Sequence, residues 1–172
     1  SFTQTNSPSS YWHNPYYMLN SVNTVLATID KLETSDEATK NYDKGVAYAM
    51  RAMFYMDLAR MFAQETYGDN PQAPTVPITT EKTTGEEAQH NPRATNGASL
   101  GVPVANRVID GSEKPSRNTV AEVYNIIISD LEKADELMDN NVGNSVKMGY
   151  LTRPAVLTLL SRVYLYHGDD AK

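Results

Sequence analysis

The chain has 172 residues, 40% of them apolar: enough for one domain with a sizeable core, and with no run long enough to span a membrane. A net charge of -6 and a pI near 5.0 argue against a nucleic-acid surface, which needs clustered lysine and arginine. The absence of cysteine excludes disulfides, thiolate catalysis and cysteine-ligated zinc.

Residues 1 to 15, SFTQTNSPSSYWHNP, read as a polar, extended lead-in. The chain starts at Ser1 without methionine, basic n-region or apolar h-region, so any targeting signal is expected outside it. A first helix is expected at about 16–32, where Met18, Val22, Val25, Ile29 and Leu32 step by four and three, widened by Leu19 and Leu26. TSDEATKNYD, 34 to 43, reads as a polar turn with some helical character. A second helix is expected at about 44–62. There Met50, Phe54, Leu58 and Phe62 are spaced by four, and Ala47, Ala49, Ala52 and Ala59 let a neighbouring helix approach closely.

Periodicity then stops. About 64–116 holds six of the nine prolines and five of the nine glycines, which argues for an irregular insert, with a short extended piece around GVPVANRVID, 101 to 110. A third helix is expected at about 119–139, opened by the capping-box pair Thr119 and Glu122. Val120, Tyr124, Ile127, Leu131, Ala134 and Met138 form its apolar stripe. Asp130, Glu132, Asp135, Glu136 and Asp139 fall mostly off that stripe and read as a solvated face rather than a cation site. NNVGNSVKMG, 140 to 149, reads as a turn. The fourth helix, about 153–167, has Thr152 as cap, Pro154 in its first turn, Val156, Leu160, Val163 and His167 as stripe, and Gly168 at its end.

Two helical hairpins with a long insert between them result. Arg51-Ala52-Met53-Phe54-Tyr55 aligns with Arg162-Val163-Tyr164-Leu165-Tyr166, an internal echo that favours an all-α, TPR-like αα-hairpin stack with a right-handed superhelix over a generic bundle. Both arginines read as structural, with stems packed in the stack and heads paired to a carboxylate.

No catalytic constellation emerges, and neither an enzyme nor a cofactor or metal is expected. His13, His90 and His167 are far apart, and Gly97-x-x-x-Gly101 lacks the lysine and hydroxyl of a phosphate loop. Eleven tyrosines suit either half-buried packing or a sugar-facing surface. An aromatic face can cover the C–H face of a pyranose while planar polar groups hold its hydroxyls. Three clusters fit: Trp12 with His13 and Asn14; Tyr67 with Asp69 and Asn70; and His90, Asn91, Arg93 and Asn96. The competing roles are a lid over the first helix pair for Trp12 and core packing for Tyr67.

Four segments in order resemble the N-terminal portion of the SusD/RagB family of outer-membrane nutrient-binding lipoproteins. They are YYMLNSVNTVLATI (16 to 29) with its Asn23; GVAYAMRAMFYMDLARMFA (45 to 63), where Met50 stands in the place of an alanine; SLGVPVANRVID (99 to 110) followed by RNTVAEVYNIIISDLEKA (117 to 134); and LTRPAVLTLLSRVYLYHGDDAK (151 to 172). MFAQETYGDNP (61 to 71) departs from the family's turn after the second helix. The resemblance implies a lipid-anchored cell-surface protein that binds oligosaccharide and passes it to a TonB-dependent outer-membrane transporter of the SusC/RagA type. The lipid would sit on a cysteine upstream of Ser1, membrane contact would be through that anchor alone, and the C-terminal part of the family would be missing. The alternative is a TPR-like adaptor whose groove binds another protein.

Overall fold

The structure, a computed structural model, describes residues 8–63, 65–76, 118–138 and 151–168, with the backbone alone for 8–13. Four helices make up most of it: α1 (Pro8–Thr28), α2 (Glu37–Phe62), α3 (Val120–Leu137) and α4 (Arg153–His167). No strand occurs among the described residues, only an isolated antiparallel bridge between Pro74 and Thr119.

The first two helices start earlier than the sequence suggests. The stretch read as an extended lead-in is helical from Pro8, and α1 runs through Pro15. A proline costs one i→i−4 bond, but it carries a φ already suited to helix. At its other end α1 tightens into a 3-10 turn, Ile29–Lys31. The turn read at 34 to 43 is mostly the first part of α2. Asp36 caps it, accepting from the Thr39 amide at 3.0 Å and the Thr39 hydroxyl at 2.7 Å. Such local bonds satisfy donors that a helix start otherwise leaves open.

Each helix packs antiparallel on the next. Lys44 meets Asp30 at 2.7 Å near the α1–α2 turn, while Arg51 meets Asn23 further along both. Arg51 also meets Asp130, and Gly45 lies against Ala134 and Met138, which sets α2 against α3. Arg153 holds Asp135 at 2.6 Å at one end of α3–α4, and Tyr124 faces His167 at the other. This is an all-α, TPR-like stack of two hairpins, α1–α2 and α3–α4. Its core runs through the middle: Leu19, Ala49, Ala52, Tyr55, Leu58, Val123, Ile127, Leu131, Val156 and Val163 are buried.

The expected stripe of α3 is buried throughout, from Val120 to Met138. The stripe of α1 is only half right. Tyr16, Leu19, Val22, Asn23 and Ile29 face inward, while Met18, Val25 and Leu32 are exposed. Asp130 corrects the reading of α3's acids as solvated, because it is buried and ion-paired to Arg51. Arg162 corrects the symmetry drawn between the two arginines. It is exposed, whereas Arg51 is buried.

Candidate functional site

The chain leaving α2 does not wander. Asn70 organises it, accepting from the Gln72 amide at 3.1 Å through its side chain and from the Ala73 amide at 3.0 Å through its carbonyl. Thr66 and Asp69 bond each other side chain to side chain at 2.5 Å. The segment then meets the start of α3. Pro71 and Ala73 carbonyls accept from the Ala121 and Val120 amides, and the Thr75 amide donates to the Asn118 carbonyl. Thr119 and Glu122 complete the capping box, with the Thr119 amide donating to Glu122 at 2.8 Å and the Glu122 amide donating to the Thr119 hydroxyl at 3.2 Å. Every backbone donor from Thr119 to Glu122 is therefore taken. The helix start is filled by two loop carbonyls and the capping-box side chains and offers no free amides to an anion.

That tethering brings Tyr67 into contact with two helices. Its ring lies 4.1 Å from the His167 ring at the end of α4 and 5.1 Å from the Tyr124 ring on α3. Beside this cluster is a pocket of about 550 Å³, lined on the α2 side by Ala59, Arg60 and Ala63, on the loop by Glu65 to Gly68, and opposite by Val120, Tyr124, Leu165 and Tyr166. Its size falls within the range of small-molecule sites. Apolar and aromatic walls carry a few polar groups at the rim: the exposed Arg60 guanidinium, the Glu65 carboxylate and tyrosine hydroxyls. Burial, with Tyr166 nearby, holds the Tyr124 hydroxyl above the ordinary tyrosine pKa, and Arg60 acts the other way. The phenol stays protonated at neutral pH and can donate.

Of the residues singled out from sequence, Tyr67 lines this pocket. Asp69 and Asn70 lie in the same loop, with side chains bonded to Thr66 and Glu65 respectively. Trp12 lies in the N-terminal part of α1, where only the backbone is described. His90, Arg93 and Asn96 lie outside the described residues. The structure adds Arg60 and Tyr166, and also Tyr124, which the sequence placed on the apolar stripe of α3. The signal for Tyr166 was present as a tyrosine beside, not on, the stripe of α4. Among the described residues no cluster of three or more His, Asp or Glu side chains has the arrangement of a metal site. No described helix is long and apolar enough to cross a membrane.

A family model for SusD-like proteins, described as starch-binding and associating with the outer membrane, matches residues 2–165. Among solved structures, a candidate sugar-binding protein of Bacteroides vulgatus ATCC 8482 is 36% identical with a TM-score of 0.72, matching 98% of this chain and 32% of its own. A SusD-like carbohydrate-binding protein of the same organism is 29% identical with a TM-score of 0.67, over 92% of this chain and 28% of its own. A SusD-superfamily protein of Bacteroides thetaiotaomicron VPI-5482 is 26% identical with a TM-score of 0.68, over 92% and 28%. This chain thus spans about a third of the length of the relatives it resembles. No curated protein matches it.

Proposed function

The chain belongs to the SusD-like family, and from that membership we propose that it is the N-terminal domain of a cell-surface glycan-binding lipoprotein that delivers oligosaccharides to a SusC-type TonB-dependent transporter. The observation that carries this is the family match over residues 2–165, joined by a 29%-identical relative described as carbohydrate-binding. The core of the fold is mostly apolar, crossed by the buried Arg51–Asp130 pair, and among the described residues lining the pocket Glu65 is the one carboxylate.

In this reading the pocket beside Tyr67 is a sugar subsite. Tyr166, about half exposed, covers the C–H face of a pyranose; Arg60, Glu65 and the Tyr124 hydroxyl hold its hydroxyl groups. Tyr67, in contact with His167 and Tyr124, acts as a wall of the pocket. The anchor on an upstream cysteine and the transporter are parts of the same proposal.

The test is calorimetric titration of the full-length protein against a panel of neutral and acidic oligosaccharides. The expected result is binding of at least one glycan, with Arg60→Ala weakening it by roughly ten- to a hundredfold, the value of a charged hydrogen bond. Since Arg60 is exposed, the melting temperature should hold. No binding across the panel by the full-length protein would overturn the reading.

A further inference from the structure

The described residues include four arginines, in two kinds of surroundings. Arg51 is held by both Asp130 oxygens, at 2.7 and 2.8 Å, and Arg153 by both Asp135 oxygens, at 2.6 and 3.3 Å. Each of these pairs joins one helix to the next. Arg60 and Arg162 are exposed and have no carboxylate within ion-pair distance among the described residues. Both belong to the pocket end of the stack. Arg60 lines the pocket from α2, and Arg162 stands on α4 one turn before Tyr166, which lines it from the other side. Arg60 also offsets the partial negative charge at the end of α2, but that is about half a charge against a whole one. Its field reaches the inner wall: burial and Tyr166 raise the pKa of the Tyr124 phenol, and Arg60 opposes them. The acids of the adjoining loop are engaged by its own donors, Glu65 accepting from the Asn70 side-chain amide at 3.3 Å and Asp69 from the Thr66 hydroxyl at 2.5 Å.

We propose that the pocket beside Tyr67 takes an acidic sugar, a uronate unit of a glycan, whose carboxylate is held by Arg60 with Arg162 as a second, outer cation. The proposal rests on the glycan reading above and narrows it. A uronate differs from the neutral pyranose only at C6, where a planar carboxylate replaces a hydroxymethyl group. That group stands at the edge of the ring. A sugar stacked on Tyr166 therefore keeps its C–H face on the aromatic while its carboxylate meets the rim, where Arg60 lies. A guanidinium grips a carboxylate through two parallel N–H···O bonds, the arrangement that Arg51 and Arg153 already show inside this fold. A hydroxymethyl group cannot accept both bonds of that fork and brings no charge to it. Bonds between two ionised groups are roughly twice as strong as neutral ones, so the acid should be favoured over its neutral form by about tenfold or more.

The experiment is calorimetric titration of the full-length protein with matched pairs of oligosaccharides. Oligomers of galacturonate, glucuronate, mannuronate and guluronate are each run beside their carboxyl-reduced, neutral forms, and a sulfated oligosaccharide supplies a second kind of anion. The expected result is that at least one uronate binds about ten- to a hundredfold more tightly than its reduced form, with the gap narrowing as salt is raised. Arg60→Gln should bring the two members of that pair to within a few-fold of each other. Arg60→Lys, which keeps the charge and loses the fork, should retain part of the preference, and Arg162→Gln should weaken it by a few-fold. The comparison within a pair needs no variant, so it stands even if Arg60→Gln fails to fold. Reduced forms that bind as tightly as their acidic partners would overturn the proposal and leave the glycan reading intact, whereas no binding by either member of any pair would remove both. A preference for the sulfated probe over every uronate would overturn the assignment to a carboxylate. So would a preference for uronate that survives Arg60→Gln.

Discussion

Arg51 shows how far single residues were legible. An arginine in a run of alanines reads as structural, and it is: its guanidinium donates to both Asp130 oxygens, at 2.7 and 2.8 Å, and to Asn23 at 3.1 Å. Its partner was misread. Asp130 lies three residues after Ile127 and four before Ala134, on the apolar side, and only its charge suggested solvent. The cation that resolves the contradiction is 79 residues away, beyond the reach of any local pattern. Burial taken alone would lower the Arg51 pKa; the Asp130 carboxylate overcomes this and holds it above the ordinary value, so the guanidinium stays charged. Removing one partner strands a buried charge. Asp130→Ala should therefore cost about 3–5 kcal/mol, and the double replacement Arg51→Met with Asp130→Leu clearly less than the sum of its parts. Urea unfolding of the single and double variants measures both, and strict additivity would refute the coupling.

At the scale of elements, existence was easier to read than extent. The capping box of α3 was written in Thr119 and Glu122, whereas the early starts of α1 and α2 were masked by Pro8, Pro15 and a run of polar residues. Proline and polarity are turn signals on average, but a helix start tolerates both when a side chain such as Asp36 supplies the cap. The α3 cap gives a pH prediction. The Thr119 amide, and then Asn118, hold the Glu122 carboxyl below the ordinary glutamate range, against a smaller opposing effect of burial. Its contribution is thus fully present above that range and is lost as pH falls through the lowered folded value. Glu122→Gln should flatten this acid limb in melts between about pH 6 and 3. Gly45 sets a second limit, on how closely α2 and α3 approach. A Cβ there would lie 2.6 Å from Met138 Cγ and 3.2 Å from the Ala134 carbonyl oxygen. Met138 can swing aside, but the backbone oxygen cannot. Gly45→Ala should gain about 1 kcal/mol of helix propensity yet lose about 1–3 to overpacking, for a net loss. A raised melting temperature would show that the helices part without cost.

Among the described residues the helices form a row in which α2 and α3 each have a neighbour on both sides and α1 and α4 have one. Sequence gave the order of this row through its stripes, but not which stripe is shared, because inner and outer apolar residues of α1 look alike until α2 is in place. The row predicts graded local stability rather than a uniform core. Amides in the middle of α2 and α3, around Ala52 to Leu58 and Val123 to Leu131, should exchange slowest, since these turns are buried from both sides. Amides of α4 should exchange faster by native-state hydrogen exchange of the 172-residue chain, because its outward side is open. Leu58→Ala tests the coupling. Leu58 is fully buried, so the change should cost about 2–5 kcal/mol and lower protection in α2 and α3 together. Phe54→Ala, at a half-buried position of the same helix, should cost less. If α4 opens as its own unit, its protection should hardly change with Leu58→Ala, since the global opening that the substitution makes easier is not the route by which α4 exchanges. Equal losses of protection in all four helices would instead show a single cooperative unit, and the one-dimensional account of this stack would fail.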